Sequence, residues 1–134
     1  MIFLVQLFEN EYAKLVNGEF DLLIRLLGQG EERFYPDKRF HKDDFLMLVD
    51  YDADSDPVIA KITALTPLYA SLEELLDTPN VLRDCGMSGK PVCMAAEELK
   101  KTYFYSDEEI CLCGGVYGVY FDIINKARQG DGHG

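Results

Sequence analysis

The sequence has few of the residues that common hydrolytic sites require. It contains only two histidines among 134 residues, and one of them, His133, is next to last. A Ser-His-Asp triad needs a suitably placed histidine, and no G-x-S-x-G segment is present, so a serine hydrolase of that type is excluded. No apolar run approaches the ~20 residues that cross a bilayer, and the apolar start has no basic leader. We therefore expect a soluble, cytoplasmic protein.

Positive charge is also scarce. Thirteen Lys and Arg face 24 Asp and Glu, which gives a net charge of -11 and a pI near 4.5. Such a surface repels phosphate backbones and opposes general coating of nucleic acid. The charge is unevenly placed, however. Residues 33–42 carry four bases and one acid, whereas residues 43–56 carry six aspartates and no base. The basic segment indicates either a local anion site or a solvated loop face.

The four cysteines do not form a recognisable metal or disulfide pattern. A cytoplasmic location favours free thiols. The pair Cys111 and Cys113 has no second C-x-C or histidine partner at zinc spacing. We therefore expect buried structural thiols, with these two on one face of a strand.

Two further segments only begin like ligand-binding loops. Residues 50–56 start as a calcium loop does, but Ser55 and Lys61 occupy the places that need Gly and Glu. The Ser88-Gly89-Lys90 triplet lacks the first glycine of a phosphate loop. The sequence therefore predicts no metal and no cofactor.

The hydropathy pattern predicts a mixed chain of strands and helices. Strands are expected over 2–7, 20–27, 45–51, 57–65 and 116–124, and helices over 9–16, from Ser71 to before Pro79, and over 94–104. Residues 31–44 and 83–93 read as connections. This order is typical of an α+β domain around a small, strongly bent sheet or barrel. We expect one domain over residues 1–126 and a flexible tail over 127–134.

The basic segment also contains aromatic residues. Phe34, Tyr35 and Phe40 lie among Arg33, Lys38, Arg39 and Lys42. Aromatic rings and guanidinium groups are what unstacked bases and phosphates need. The alternative is a loop that its aromatic rings fix to the core while its bases stay in water.

The order of these features resembles the ASCH domain, a relative of the PUA fold. The family motif G-x-K-x-x-E-x-R matches residues 18–25, where Gly18 and Arg25 fit, while Phe20 and Leu23 replace the lysine and the acidic or hydroxyl residue. Further similarity covers residues 42–48, 57–76, 103–106 and 115–121, so it spans about residues 2 to 124.

The resemblance implies a PUA-like β-barrel of about five to six strands with flanking helices and a cleft that binds RNA or nucleotides. Some members are amidohydrolases of N4-acetylcytidine that use the motif lysine and a nearby threonine. Phe20 and Leu23 supply neither an amine nor a nucleophile, so that chemistry is not expected here.

The predicted function is therefore an ASCH-type RNA- or nucleotide-binding module with a locally basic cleft. Arg25 would meet an anionic group at the cleft floor, and Tyr35, Arg39 and Lys42 would close over a base or phosphate. Gly18, the other motif residue that fits, is a further predicted ligand-binding residue. For Arg25 the alternative role is a salt bridge to one of the many carboxylates.

Two other functions stay open. One is a hydrolase, either a ribonuclease or an amidohydrolase, in which other residues such as Lys61 or Glu74 take over the roles of the missing catalytic groups. The other is an acidic module that docks a basic protein and keeps only a vestigial cleft.

Overall fold

The structure, a computed structural model, describes residues 1–29, 31, 34–50, 55–103 and 105–125, in which three strands follow the first strand and helix, then four helices, then a last strand. The strands are β1 (Ile2–Leu7), β2 (Leu22–Leu26), β3 (Phe45–Asp50), β4 (Val58–Leu65) and β5 (Val116–Asn125). The helices are α1 (Glu9–Val16), α2 (Leu72–Leu76), α3 (Val81–Asp84), α4 (Val92–Tyr103) and α5 (Asp107–Cys113). The predicted tail over 127–134 and residues 51–54 of the aspartate-rich segment lie outside the described residues.

The five strands form one half-barrel sheet in the order β1-β3-β4-β5-β2. The first pair, β1 with β3, is parallel, and the other three pairs are antiparallel. The register between β4 and β5 shifts twice, between Ile59 and Ala60 and between Ile62 and Ala64. Such irregularities increase the local bend and twist of a sheet. The α+β fold with a small bent barrel, predicted from the sequence, is confirmed.

The sheet separates two apolar cores. Alternate residues of a strand point to opposite faces, so Leu23 joins the inner core with α1, while Leu22 and Ile24 join the outer core with α2 to α5. The edge strand β2 therefore has side chains in both cores, and its backbone edge away from β5 lies beside α1 and α4.

The sequence analysis missed two helices, α3 and α5. Helix α5 begins with a reciprocal cap: the Ser106 hydroxyl accepts from the Glu109 N–H, and the Glu109 carboxylate accepts from the Ser106 N–H. Cys111 and Cys113 therefore lie on a helix rather than on a strand, and the prediction of a shared strand face is wrong.

All four cysteines are free, as predicted, but Cys93 and Cys111 are exposed rather than buried. In the described ranges, no helix combines the length and the apolar character needed to cross a membrane.

Candidate functional site

A cavity of about 240 Å³ lies between α1, α4 and the edge of β2. We call it the Glu11 pocket. Its apolar wall consists of Phe8, Phe20, Leu22, Ile24, Met87 and Leu99, and its polar groups are those of Glu11, Lys14, Cys85, Glu98, Thr102 and Tyr103. Apolar and polar residues thus line the pocket in equal number, and small-molecule sites combine apolar walls with converging polar groups in this way.

The backbone of β2 adds hydrogen-bonding groups to this pocket. The Asp21 carbonyl and the Leu27 N–H are bonded to β5 or to the residue just before it. Antiparallel pairs alternate, so the N–H and C=O groups of Leu22 and Ile24, which lie between them, point away from β5. These two residues line the pocket. A planar ligand there would meet both donors and acceptors of an edge strand.

Glu11 is a buried carboxyl group of the pocket. Its residue is only 9% exposed. One carboxyl oxygen accepts from the Phe8 N–H at 3.1 Å, and the other accepts from the Tyr103 hydroxyl. Burial raises the pKa of Glu11 to about 7, against the opposing effects of the Phe8 hydrogen bond and the Lys14 charge. The carboxyl group therefore changes charge near neutral pH.

A line of contacts leads from the Glu11 pocket to Arg25. The Tyr103 ring stacks on the Tyr105 ring with centroids 5.4 Å apart. The Tyr105 hydroxyl donates to the Gln29 side-chain oxygen at 3.2 Å, and Arg25 Nη2 donates to the Gln29 carbonyl at 3.3 Å. The pocket and Arg25, the motif arginine, are thus linked along one edge of the sheet.

Arg25 is paired with a buried carboxylate. Its Nε and Nη2 donate to the two Glu31 oxygens at 3.3 and 3.0 Å, and its guanidinium carbon lies 4.9 Å from the centre of the Phe40 ring. The Arg25 side chain is 16% exposed and that of Glu31 1%. Glu31 also accepts from the Tyr117 hydroxyl at 3.1 Å. The alternative role foreseen for Arg25, a salt bridge, is the observed one, and an anionic ligand would have to compete with Glu31.

Tyr35 is held by contacts within its own loop, the connection over residues 31–44. Its hydroxyl donates to Asp44 at 2.6 Å, and its ring stacks on His41 at 3.6 Å. The hydrogen bond to Asp44 is the main reason that the pKa of Tyr35 is raised to about 12. One face of the ring is therefore already stacked, and a base would have to use the other.

The basic side chains of this loop are more accessible. Arg39 lies 4.0 Å from Asp37, with about a third of its side chain exposed, and Lys38 and Lys42 are exposed. Phe40, next to Arg39, is buried against Arg25 and Phe3. The structure thus brings Arg25 to the base of the loop that carries these three bases. Arg33 lies outside the described residues.

Gly18 lies elsewhere, in a wide cavity of about 660 Å³. The charged lining residues are four acids and one base: Glu19, Asp21, Asp84, Asp122 and Arg83. Burial and then the Asp84 charge raise the pKa of Asp21. We call this the acidic cavity. It opposes phosphate binding at Gly18 and suits the alternative of a basic partner. Among the described residues, no three His, Cys, Asp or Glu side chains are arranged to hold a metal ion.

Phe20 and Leu23, which replace two residues of the family motif, both pack against apolar side chains. Phe20 lies between the Glu11 pocket and the acidic cavity and meets Phe121 edge-on at 6.3 Å. Leu23 is buried in the inner core. Neither position offers a group that could attack or protonate a ligand.

Sequence reasoning missed Glu11, Tyr103 and Glu31. A usable sign existed for Glu11, because it is four residues before the buried Leu15 and three after Phe8, which places an acid on the apolar side of α1. Tyr103 is 92 residues away from Glu11, and no local pattern connects the two.

Three solved structures share this arrangement of strands and helices. Hypothetical protein PH0355 superposes with a TM-score of 0.70 at 16% identity, over 92% of this chain and all of its own. PF0455 from Pyrococcus furiosus gives 0.59 at 14% identity, over 92% and 98%. An ASCH domain from Lactobacillus crispatus gives 0.54 at 13% identity, over 92% and 80%. No family model and no curated protein matches the sequence. The chain therefore has the fold of the ASCH domain.

Proposed function

We propose that the chain binds a nucleotide, free or within single-stranded RNA, and that the base enters the Glu11 pocket. The observation that carries the proposal is the buried Glu11 carboxyl group beside the backbone edge of β2. The ASCH fold supports the proposal through the nucleotide-binding cleft that the sequence resemblance implies. The pocket volume of about 240 Å³ favours one small planar group over a folded nucleic acid.

The protonation state of Glu11 selects the base. A neutral carboxyl group presents one donor and one acceptor side by side, which complement the ring nitrogen and amino group of cytosine or adenine. An ionised carboxylate presents acceptors only and complements the two donors of guanine. Because burial favours the neutral form of Glu11 and the pocket is small, we assign it to cytosine.

The loop supplies the phosphate contacts in this proposal. The accessible cations of the loop are Lys38, Arg39 and Lys42, and we assign Arg39 and Lys42 to the phosphates. The edge that joins Tyr103 to Arg25 leads from the pocket to the loop. Tyr35 would contact the sugar or a second base, and Arg25 positions the loop through Glu31 and Phe40. Gly18 is left out because its cavity is acidic.

The proposal does not include the amidohydrolase reaction. Phe20 and Leu23 stand where the resemblance places the reactive groups, and Leu23 is closed off in the core. We therefore expect binding without turnover of N4-acetylcytidine.

Titration calorimetry with cytidine, uridine, adenosine and guanosine at pH 6 and pH 8 tests the assignment. Cytidine should bind best at pH 6 and lose about tenfold or more at pH 8, as Glu11 ionises. Glu11→Gln keeps a donor and an acceptor and should remove the pH dependence, whereas Glu11→Leu should abolish binding. The control Glu97→Gln, on the solvent side of α4, should behave as wild type. Failure of all four nucleosides and their monophosphates to bind at millimolar concentration would overturn the proposal.

A further inference from the structure

The helices of the described residues cover the outer face of the sheet over only part of its width. Over β2 and β5, residues such as Leu22, Ile24 and Val116 pack against the apolar residues of α2 to α5. Over β1 and β3, the outward side chains are exposed or half-buried. The same sheet face is thus a core at one end and a surface at the other.

This uncovered part is apolar across neighbouring strands. We call it the open face: Ile2 and Leu4 of β1, Phe45, Met47 and Val49 of β3, Ile59 of β4 and Ile124 of β5. The register places Leu4 beside Met47 and Met47 beside Ile59, so the row is continuous. Leu4 is 66% exposed. Solvent-facing positions of such sheets are normally polar, so an apolar row indicates a covered surface.

We propose that a second copy of this chain covers the open face. Three of its seven members, Ile2, Leu4 and Ile124, are 52%, 66% and 58% exposed. In homodimer interfaces about 65% of the buried area is apolar. An exposed apolar row with a polar rim has the composition of such an interface.

Charge also favours a second copy over other partners. The charged outward side chains of this region are Lys61 of β4 and, beside it on β5, the exposed Asp122. Lys61 also lies 3.6 Å from Asp43. The opposite charges of Lys61 and Asp122 give a basic protein no advantage on this face, and an anionic membrane would be repelled by a chain of net charge -11. A face with neighbouring charges of opposite sign is self-complementary about a two-fold axis.

Sedimentation equilibrium of the full chain, from micromolar to several hundred micromolar, tests the proposal. A concentration-dependent dimer is expected, and it should tighten with salt because screening weakens the repulsion between two acidic chains. Leu4→Glu should raise the dimer dissociation constant by about a hundredfold or more, since the residue occurs twice in a symmetric contact. Leu112→Glu, at a site 83% exposed on α5, should leave that constant unchanged.

Other results would overturn this assignment. A monomer at every concentration, whether it binds vesicles or another protein through this face or binds nothing, excludes the second copy. A dimer that Leu4→Glu leaves intact, or that salt dissociates, uses another surface. Circular dichroism of Leu4→Glu establishes that the fold is kept. Nucleoside affinity is measured in parallel, because the dimer and the Glu11 pocket are independent.

Discussion

Glu11 and Arg25 are both largely buried ionisable residues near the β2 edge, but in the described part of the chain only Arg25 has a partner of opposite charge. Arg25 keeps its charge beside Glu31, which lies at ion-pair distance. Among the described residues, no cation lies at that distance from Glu11, which is bound instead by the Phe8 N–H and the Tyr103 hydroxyl. An unpaired buried carboxylate is costly, and protonation removes that cost. The pocket therefore contains a titrating group, whereas Arg25 serves to hold the loop.

The pH dependence of stability should report on Glu11. Its folded pKa of about 7 lies above the ordinary 4.5, so the folded chain binds the proton more tightly. The associated stability is complete below pH 4.5 and is lost as the pH rises through 7. Glu11→Gln removes this loss, and its stability relative to wild type should rise by about 2 to 3 kcal/mol between pH 5 and pH 8. Urea unfolding at four pH values measures the difference.

The control for this measurement is Glu97→Gln, whose side chain is exposed. Its free energy of unfolding should follow that of wild type at every pH. Parallel curves for Glu11→Gln and wild type would mean that the carboxyl group is ionised throughout and that its surroundings are polar.

At the level of elements, apolar periodicity predicted the strands and helices that bury several apolar residues. The five strands, α1, α2 and α4 were all expected. Helix α5 has one buried residue, Ile110, and therefore no stripe, and α3 is a single turn. The capping pair Ser106 and Glu109 was the available sign of α5, but the C-x-C spacing and the two glycines that follow favoured a strand.

The candidate site was less predictable than the fold. The motif placed Arg25 correctly on β2, but its partner Glu31 depends on the path of a loop that tertiary contacts determine. The pocket combines groups from α1 and β2 with groups from α4, which lies far from both in sequence. Local patterns identify which residues are apolar or charged, whereas distant helices bring Glu11 and Tyr103 together only in the folded chain.

The junction between α5 and β5 provides a test at this scale. Gly115 has φ +133°, and a Cβ there would lie 2.7 Å from the Tyr69 carbonyl oxygen, where Tyr69 and Val116 form a bridge. Gly89 has φ +88° with open space around it. Gly89→Ala should cost about 1 kcal/mol for backbone strain alone, and Gly115→Ala at least about 2 kcal/mol more because the bridge must move. Thermal unfolding of both variants makes the comparison, and equal losses would show that the bridge yields freely.

For the whole molecule, the central question is whether local or total charge governs ligand binding. The net charge of -11 repels any phosphate chain at long range, whereas Arg39 and Lys42 attract it at short range. The acidic cavity adds to the repulsion on its own side. At moderate salt the Debye length is about 10 Å, so contacts made by the loop should outweigh distant carboxylates.

The salt dependence of binding to a short oligocytidylate decides this question. Two phosphate contacts release counterions, so log affinity should fall with log salt at a slope of about -1.4. Arg39→Ala with Lys42→Ala should bring the slope close to zero. The matched control, Arg83→Ala with Lys90→Ala, also changes the net charge from -11 to -13 but removes cations outside the loop, so the slope should stay. If both pairs change the slope equally, total charge governs binding and the loop has no phosphate site.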